Sequence, residues 1–249
     1  MYANWREIVT EQSTEGASSY YCKNSQVHRT EGEAYQQTGS TCMLLTFIYL
    51  TAITVEAMSG ALAAGRRNMD MFGVALIAFV TALGGGTVRD VILGHYPIAW
   101  TQHASYVYLT IGAGLLTTVI ARFMHRLKKV FLILDGMGLV AFTIIGASVA
   151  QELAYSNVVV VMSGMITGVF GGILRDILCN RTPVVLMKEL YASVSLLVAL
   201  LFIGLQQLGI EHDITLVIAF ISGFSVRMAA IYWKWSLPVF SYSNSHWED

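Results

Sequence analysis

Residues 81–93 read Thr81-Ala82-Leu83-Gly84-Gly85-Gly86-Thr87-Val88-Arg89-Asp90-Val91-Ile92-Leu93. An otherwise apolar run here carries consecutive glycines and then two adjacent opposite charges. Residues 167–179 repeat the pattern as Thr167-Gly168-Val169-Phe170-Gly171-Gly172-Ile173-Leu174-Arg175-Asp176-Ile177-Leu178-Cys179. Arg175 follows Arg89 by 86 residues, and the same spacing carries Gly60 to Gly146, Ala61 to Ala147 and Pro97 to Pro183. A gap-free match across a helix and the loop after it marks an internal repeat.

The surroundings of both stretches are those of a membrane protein. The chain is 55% hydrophobic and 12% charged over 249 residues, whereas soluble domains carry about 25% charged residues. A formal net charge of -1 gives no support for a nucleic-acid partner. Cys22, Cys42 and Cys179 are scattered, which argues against a disulfide framework or a zinc site. Apolar runs fall near 43–64, 70–93, 104–124, 130–150, 157–179, 189–209 and 213–233. Each is long enough to cross a bilayer, which takes about 20 residues.

The loops fix an orientation. The first, third and fifth carry Arg66, Arg67, Arg122, Arg126, Lys128, Lys129, Arg181 and Lys188, and Lys234 follows the last run. The second, fourth and sixth loops carry neither Lys nor Arg. By the positive-inside rule the C-terminus is cytoplasmic and the number of spans is odd. The spacing of 86 residues lays the first three spans onto the next three. A three-span unit must enter the membrane in opposite senses in its two copies. The expected fold is therefore an all-α membrane protein of seven transmembrane helices, built as two inverted three-helix repeats plus a seventh helix. Its expected divisions are a polar tail over 1–42, repeat one over 43–129, repeat two over 130–212, and the seventh helix with a cytoplasmic tail over 213–249. The tail lacks a signal-peptide pattern and reads as a flexible segment or as sequence upstream of a natural start at Met43.

Intramembrane polar residues are the candidates for function. Gly84, Gly85 and Gly86, with Gly171 and Gly172, predict two broken helices facing each other; close helix packing is the other reading of the same glycines. Arg89, Asp90, Arg175 and Asp176 are costly to bury and need partners. Residues at i and i+1 do not face each other on a helix, so the expected pairs are Arg89 with Asp176 and Arg175 with Asp90. The competing reading puts all four at helix ends, with the arginines reaching out to headgroups. Glu56 lies mid-span, as a cation ligand, a proton carrier, a partner for an arginine, or a neutral packing group. Asp135 reads as a helix-start residue, and Arg227 points inward or reaches for the interface. No second ligand stands at metal spacing from His95 or His103, so no metal site is expected. No phosphate loop, dinucleotide fingerprint or metalloprotease helix is present, and the chain is not expected to be an enzyme.

The stretch Gly60–Arg67, then Met69–Val74, Gly84–Leu93 and His95-Tyr96-Pro97, resembles the bacterial inner-membrane glycine-transporter-domain proteins, which are similar to trimeric intracellular cation (TRIC) channels. The second half agrees through Phe170–Asp176 and Lys188–Ala192, and the resemblance covers about Met43 to Phe240. It implies a homotrimer in the bacterial inner membrane, with a pore in each protomer passing monovalent cations, chiefly potassium. The implied pore is lined by the second and fifth helices, bent at Gly84, Gly85, Gly86, Gly171 and Gly172. Phe170 departs from the triple-glycine pattern and would narrow the pore or move the bend. No cofactor is implied beyond the permeant ion and bound lipid. The leading function is a potassium-permeable channel. The other reading is a secondary transporter of glycine or another small amino acid.

Overall fold

A computed structural model of the chain describes residues 35–123, 127–186 and 190–235, with side chains from Met43 onward. All of its long elements are helices: α1 (Tyr35–Gly65), α2 (Met71–Leu93), the single-turn α3 (Ala99–Gln102), α4 (Ala104–Ala121), α5 (Leu127–Glu152), α6 (Asn157–Leu178), α7 (Ala192–Gln207) and α8 (His212–Tyr232). Helix α1 begins at Tyr35, upstream of the expected start at 43. The rest of the expected polar tail, with Arg126 and Lys188, lies outside the described residues. Six of the helices are long and apolar enough to cross a membrane. Helix α7 is apolar but has 16 residues, or about 24 Å of rise, short of a hydrocarbon core of about 30 Å.

Local chemistry sets the helix ends. The Asp70 side chain caps α2 by accepting from the Gly73 amide at 2.7 Å. Gly94 ends that helix in the left-handed region at φ 65°, a conformation a side chain would oppose. In the single-turn α3 that follows, Trp100 Nε1 donates to Thr87 Oγ1 at 3.0 Å.

Helix α5 is the hub. Every residue from Gly138 to Ala150 is buried, so this helix is enclosed on all sides rather than amphipathic. It packs on α1, α6, α7 and α8, while α4 and α8 keep wide apolar outer faces. Exposed Phe72, Tyr108, Leu116 and Ile221 belong to the surface that would meet lipid.

The second structural centre is the crossing of α2 and α6. A Cβ on Gly85 would run into the carbonyl oxygen of Thr167, and one on Gly171 would stand 2.5 Å from the carbonyl oxygen of Thr81. The contact is reciprocal, and contacts rise along α2 as they fall along α6, so the two helices cross antiparallel. The first helix of each half meets the second in the same way. A Cβ on Gly60 would stand 2.9 Å from the Ile77 carbonyl, and one on Gly146 2.8 Å from the Ser163 carbonyl. The expected broken helices are not found: α2 and α6 stay helical through Gly84, Gly85, Gly86, Gly171 and Gly172. At Gly85 and Gly171 the missing side chains serve close approach of backbones, while both helices stay continuous in an apolar setting.

Gly85→Ala and Gly171→Ala should each destabilise the protein by about 1–3 kcal/mol, because the obstacle is backbone that cannot swing away. Gly112→Ala and Gly204→Ala meet nothing within 4 Å and should leave stability unchanged or slightly raised. Thermal unfolding in detergent, followed by tryptophan fluorescence, checks the contrast.

Candidate functional site

The antiparallel crossing puts the two Arg–Asp motifs at opposite ends of the helix pair. Arg89 and Arg175 each lie four residues beyond the crossing glycine of their own helix, so they stand about 12 Å apart along the axes. Each builds its own cluster.

The cluster around Arg175 is the larger. Its Nε donates to Asp176 Oδ1 at 2.9 Å. Its terminal nitrogen donates to Asp135 Oδ1 at 2.6 Å and to Ser59 Oγ at 2.9 Å. Three helices, α1, α5 and α6, therefore meet at one residue. Asp176 also fixes the following loop, since its Oδ2 accepts from the Val184 amide at 3.0 Å. Tyr191 donates to Asp135 Oδ1 at 3.3 Å. Arg227 of α8 approaches Asp135 Oδ2 at 4.0 Å, donates to the Leu190 carbonyl at 3.2 Å, and lies 4.7 Å over the Tyr191 ring. Phe131 lies under the guanidinium groups of both Arg66 and Arg175, at 4.4 and 4.8 Å, a favourable arrangement for a cation and a ring. Outside this cluster, Arg67 donates to the Asn180 carbonyl and ties the α1–α2 turn to the end of α6.

The cluster around Arg89 is smaller. Two of its nitrogens donate to Asp90 Oδ1, at 2.9 and 2.7 Å. His95 Nδ1 lies 3.2 Å from the same oxygen. Tyr155 reaches across to donate to the Leu93 carbonyl at 2.9 Å, holding the α5–α6 turn against the end of α2.

The expected cross pairs, Arg89 with Asp176 and Arg175 with Asp90, do not form. The antiparallel crossing separates them, and each arginine is long enough to curl round its own helix to the next residue. Each guanidinium lies over the glycine three residues before it: a Cβ on Gly172 would stand 3.6 Å from an Arg175 nitrogen, and one on Gly86 3.8 Å from an Arg89 nitrogen, both ordinary contact distances. The arginines do not reach outward either: Arg89 is 2% exposed and Arg175 0%. Asp135 is not a helix-start residue. Helix α5 starts at Leu127 rather than near 130, which places Asp135 two turns in, buried between guanidinium groups. Ser59 and Tyr191 carried no sequence signal for this role. The signal for Asp135 was its place before Gly136 and Gly138 in an otherwise apolar run.

Glu56 enters the same region from α1. It is 3% exposed, and a side chain on Gly138 would overlap its carboxyl. Among the described residues no group of three or more His, Cys, Asp or Glu side chains converges to hold a metal ion.

An all-helical bundle with long apolar helices and charge clusters buried within them defines a polytopic membrane protein. Its fold is similar to that of a TRIC trimeric intracellular cation channel orthologue from Rhodobacter sphaeroides, with TM-score 0.75 and 33% identity over 77% of this chain and 99% of that one. A second TRIC cation channel structure matches with TM-score 0.73 and 33% identity, over 80% and 98%. In sequence, a UPF0126 membrane protein of Vibrio cholerae serotype O1 is 35% identical over 206 residues, covering 82% of this chain and 86% of the relative. The UPF0126 inner membrane protein YadS of Escherichia coli K12 is 34% identical over 201 residues, covering 80% and 97%. The glycine transporter family model matches twice, over residues 46–122 and 132–207. The chain belongs to this glycine transporter family. The two matches start 86 residues apart, the spacing of the Arg–Asp motifs.

Asp135→Ala should cost about 3–5 kcal/mol by leaving two guanidinium groups without their shared anion. Adding Arg175→Met should restore much of that loss. A charge exchange of Arg89→Asp with Asp176→Arg should give no rescue. A double-mutant cycle on unfolding in detergent measures all three.

Proposed function

We propose that this protein is a cation channel that passes potassium, with one pore in each protomer of a homotrimer in the bacterial inner membrane. The reading includes seven spans, with α7 as the shortest, two inverted three-helix repeats, and a cytoplasmic C-terminus. The observation that carries it is the antiparallel glycine crossing of α2 and α6, with a buried Arg–Asp motif at each end, in a fold similar to TRIC channels.

The pore would follow that crossing. Because α2 and α6 keep their helical hydrogen bonds, carbonyl oxygens are not released to replace an ion's hydration shell there. Ion contacts would instead come from hydroxyl and carboxyl groups and from water entering between the helices. With backbones touching at Gly85 and Gly171 the path is shut, and conduction requires α2 and α6 to part. Asp90 and Asp176 would favour cations at the two mouths, and their arginines would hold the helix ends while the centre opens.

The family's description as a glycine transporter favours a second reading, a carrier for glycine or another small amino acid. Planar bilayers holding the purified protein in a potassium chloride gradient separate the two. Discrete openings that reverse near the potassium equilibrium potential are expected. A silent bilayer, together with concentrative glycine uptake into liposomes, would replace the channel with the carrier.

A further inference from the structure

We propose that Glu56 is a proton-binding site, occupied in the packed state described here, and that release of its proton loosens the seam between α1 and α5. The Glu56 carboxyl sits against Gly138, where even one extra carbon would overlap it. Its Oε2 is enclosed and accepts no hydrogen bond, and among the described residues no cation forms an ion pair with the group.

The charges facing it come from several elements. Helix α5 contributes Asp135, α6 contributes Arg175 and Asp176, Tyr191 stands at the start of α7, and α8 contributes Arg227. Helix α4 carries no charged residue. The charges of α2, Arg89 and Asp90, lie eight residues or more past Thr81, which packs against Gly60 one turn from Glu56. Arg66 stands at the rim, half-buried, with one terminal nitrogen enclosed and its guanidinium over the Phe131 ring. The buried set thus holds the guanidinium groups of Arg175 and Arg227 against the carboxyls of Glu56, Asp135 and Asp176. The two aspartates take up the two guanidinium groups, and Glu56 is left over. An unpaired carboxylate in such a site is costly, and it is relieved by one positive charge. The fit against Gly138 leaves no room for a metal ion with its ligands, whereas a proton adds no volume.

The internal repeat supplies a control. The residue 86 positions after Glu56 is Phe142, also buried. The same place in the second half is filled by an apolar ring, so helix packing there does not call for a carboxyl group. The carboxyl of Glu56 is an addition to the scaffold.

The test uses the full chain in liposomes, with wild type beside Glu56→Gln and Glu56→Phe; the phenylalanine copies the second half and guards against a Gln variant that fails to fold. Infrared difference spectra over a pH titration should reveal a protonated carboxyl band at neutral pH, shifted in D2O, and absent from whichever variant folds. Wild type should lose thermal stability as that band disappears at rising pH, and the variants should not. Absence of the band from wild type at neutral pH, or its persistence in both variants, overturns the proposal. So does a parallel pH dependence of stability in wild type and variants. A flux arm rests on the channel reading: wild-type potassium flux should rise severalfold as the band is lost, and a pH response that survives in the variants overturns the coupling. A protein that passes no potassium counts against the channel alone, and the spectra then decide the proton site.

Discussion

The structure depends on two backbones that touch. At the α2–α6 crossing, Gly85 and Gly171 let each helix approach a carbonyl of the other. Hydrophobic attraction does not drive helices together within lipid, where tails are as apolar as leucine, so close dispersion contact between backbones is what holds such a pair. The arrangement of the charge clusters follows from this contact. An antiparallel crossing sends the two Arg–Asp motifs to opposite ends, and each must then find its counter-charges in its own half of the bundle.

The two ends have settled the cost of a buried arginine differently. Arg175 is held by Asp176, Asp135 and Ser59, and Arg227 shares the same aspartate. Arg89 relies on Asp90, which His95 also approaches. The residue in the first half that corresponds to Asp135 is Tyr49, which meets Tyr106 edge to face with ring centroids 5.0 Å apart. The Arg175 end is a dense ionic network fixed by four helices.

Much of this was legible from the chain alone. Apart from the start of α1, the apolar runs match the long helices to within a few residues, because membrane spans are marked by length and composition together. The repeat was legible because Gly-Gly-x-x-Arg-Asp recurs at one spacing. The pairing of charges was not, since the i, i+1 rule ignores how far an arginine side chain can curl. Asp135 was misplaced by a helix start set three residues late, which turned a buried anion into a capping group. The glycines were read as breaks, and the same absence of a side chain served close contact instead; sequence records the absence and not its use.

The reciprocity of the crossing bears on how such a chain could arise. A half-length ancestor, inserted into the bilayer in both senses, would build the same contact as a two-subunit assembly, with each copy lending its carbonyl to the other's glycine. Fusion of two copies into one chain fixes the two senses permanently and lifts the requirement that both halves carry the same residues. Tyr49 against Asp135, and Glu56 against Phe142, are positions where the halves have used that freedom. At the crossing itself the corresponding positions carry the same residues, Gly85 and Gly171 with Thr81 and Thr167, and a change on one side alone would meet unchanged backbone on the other.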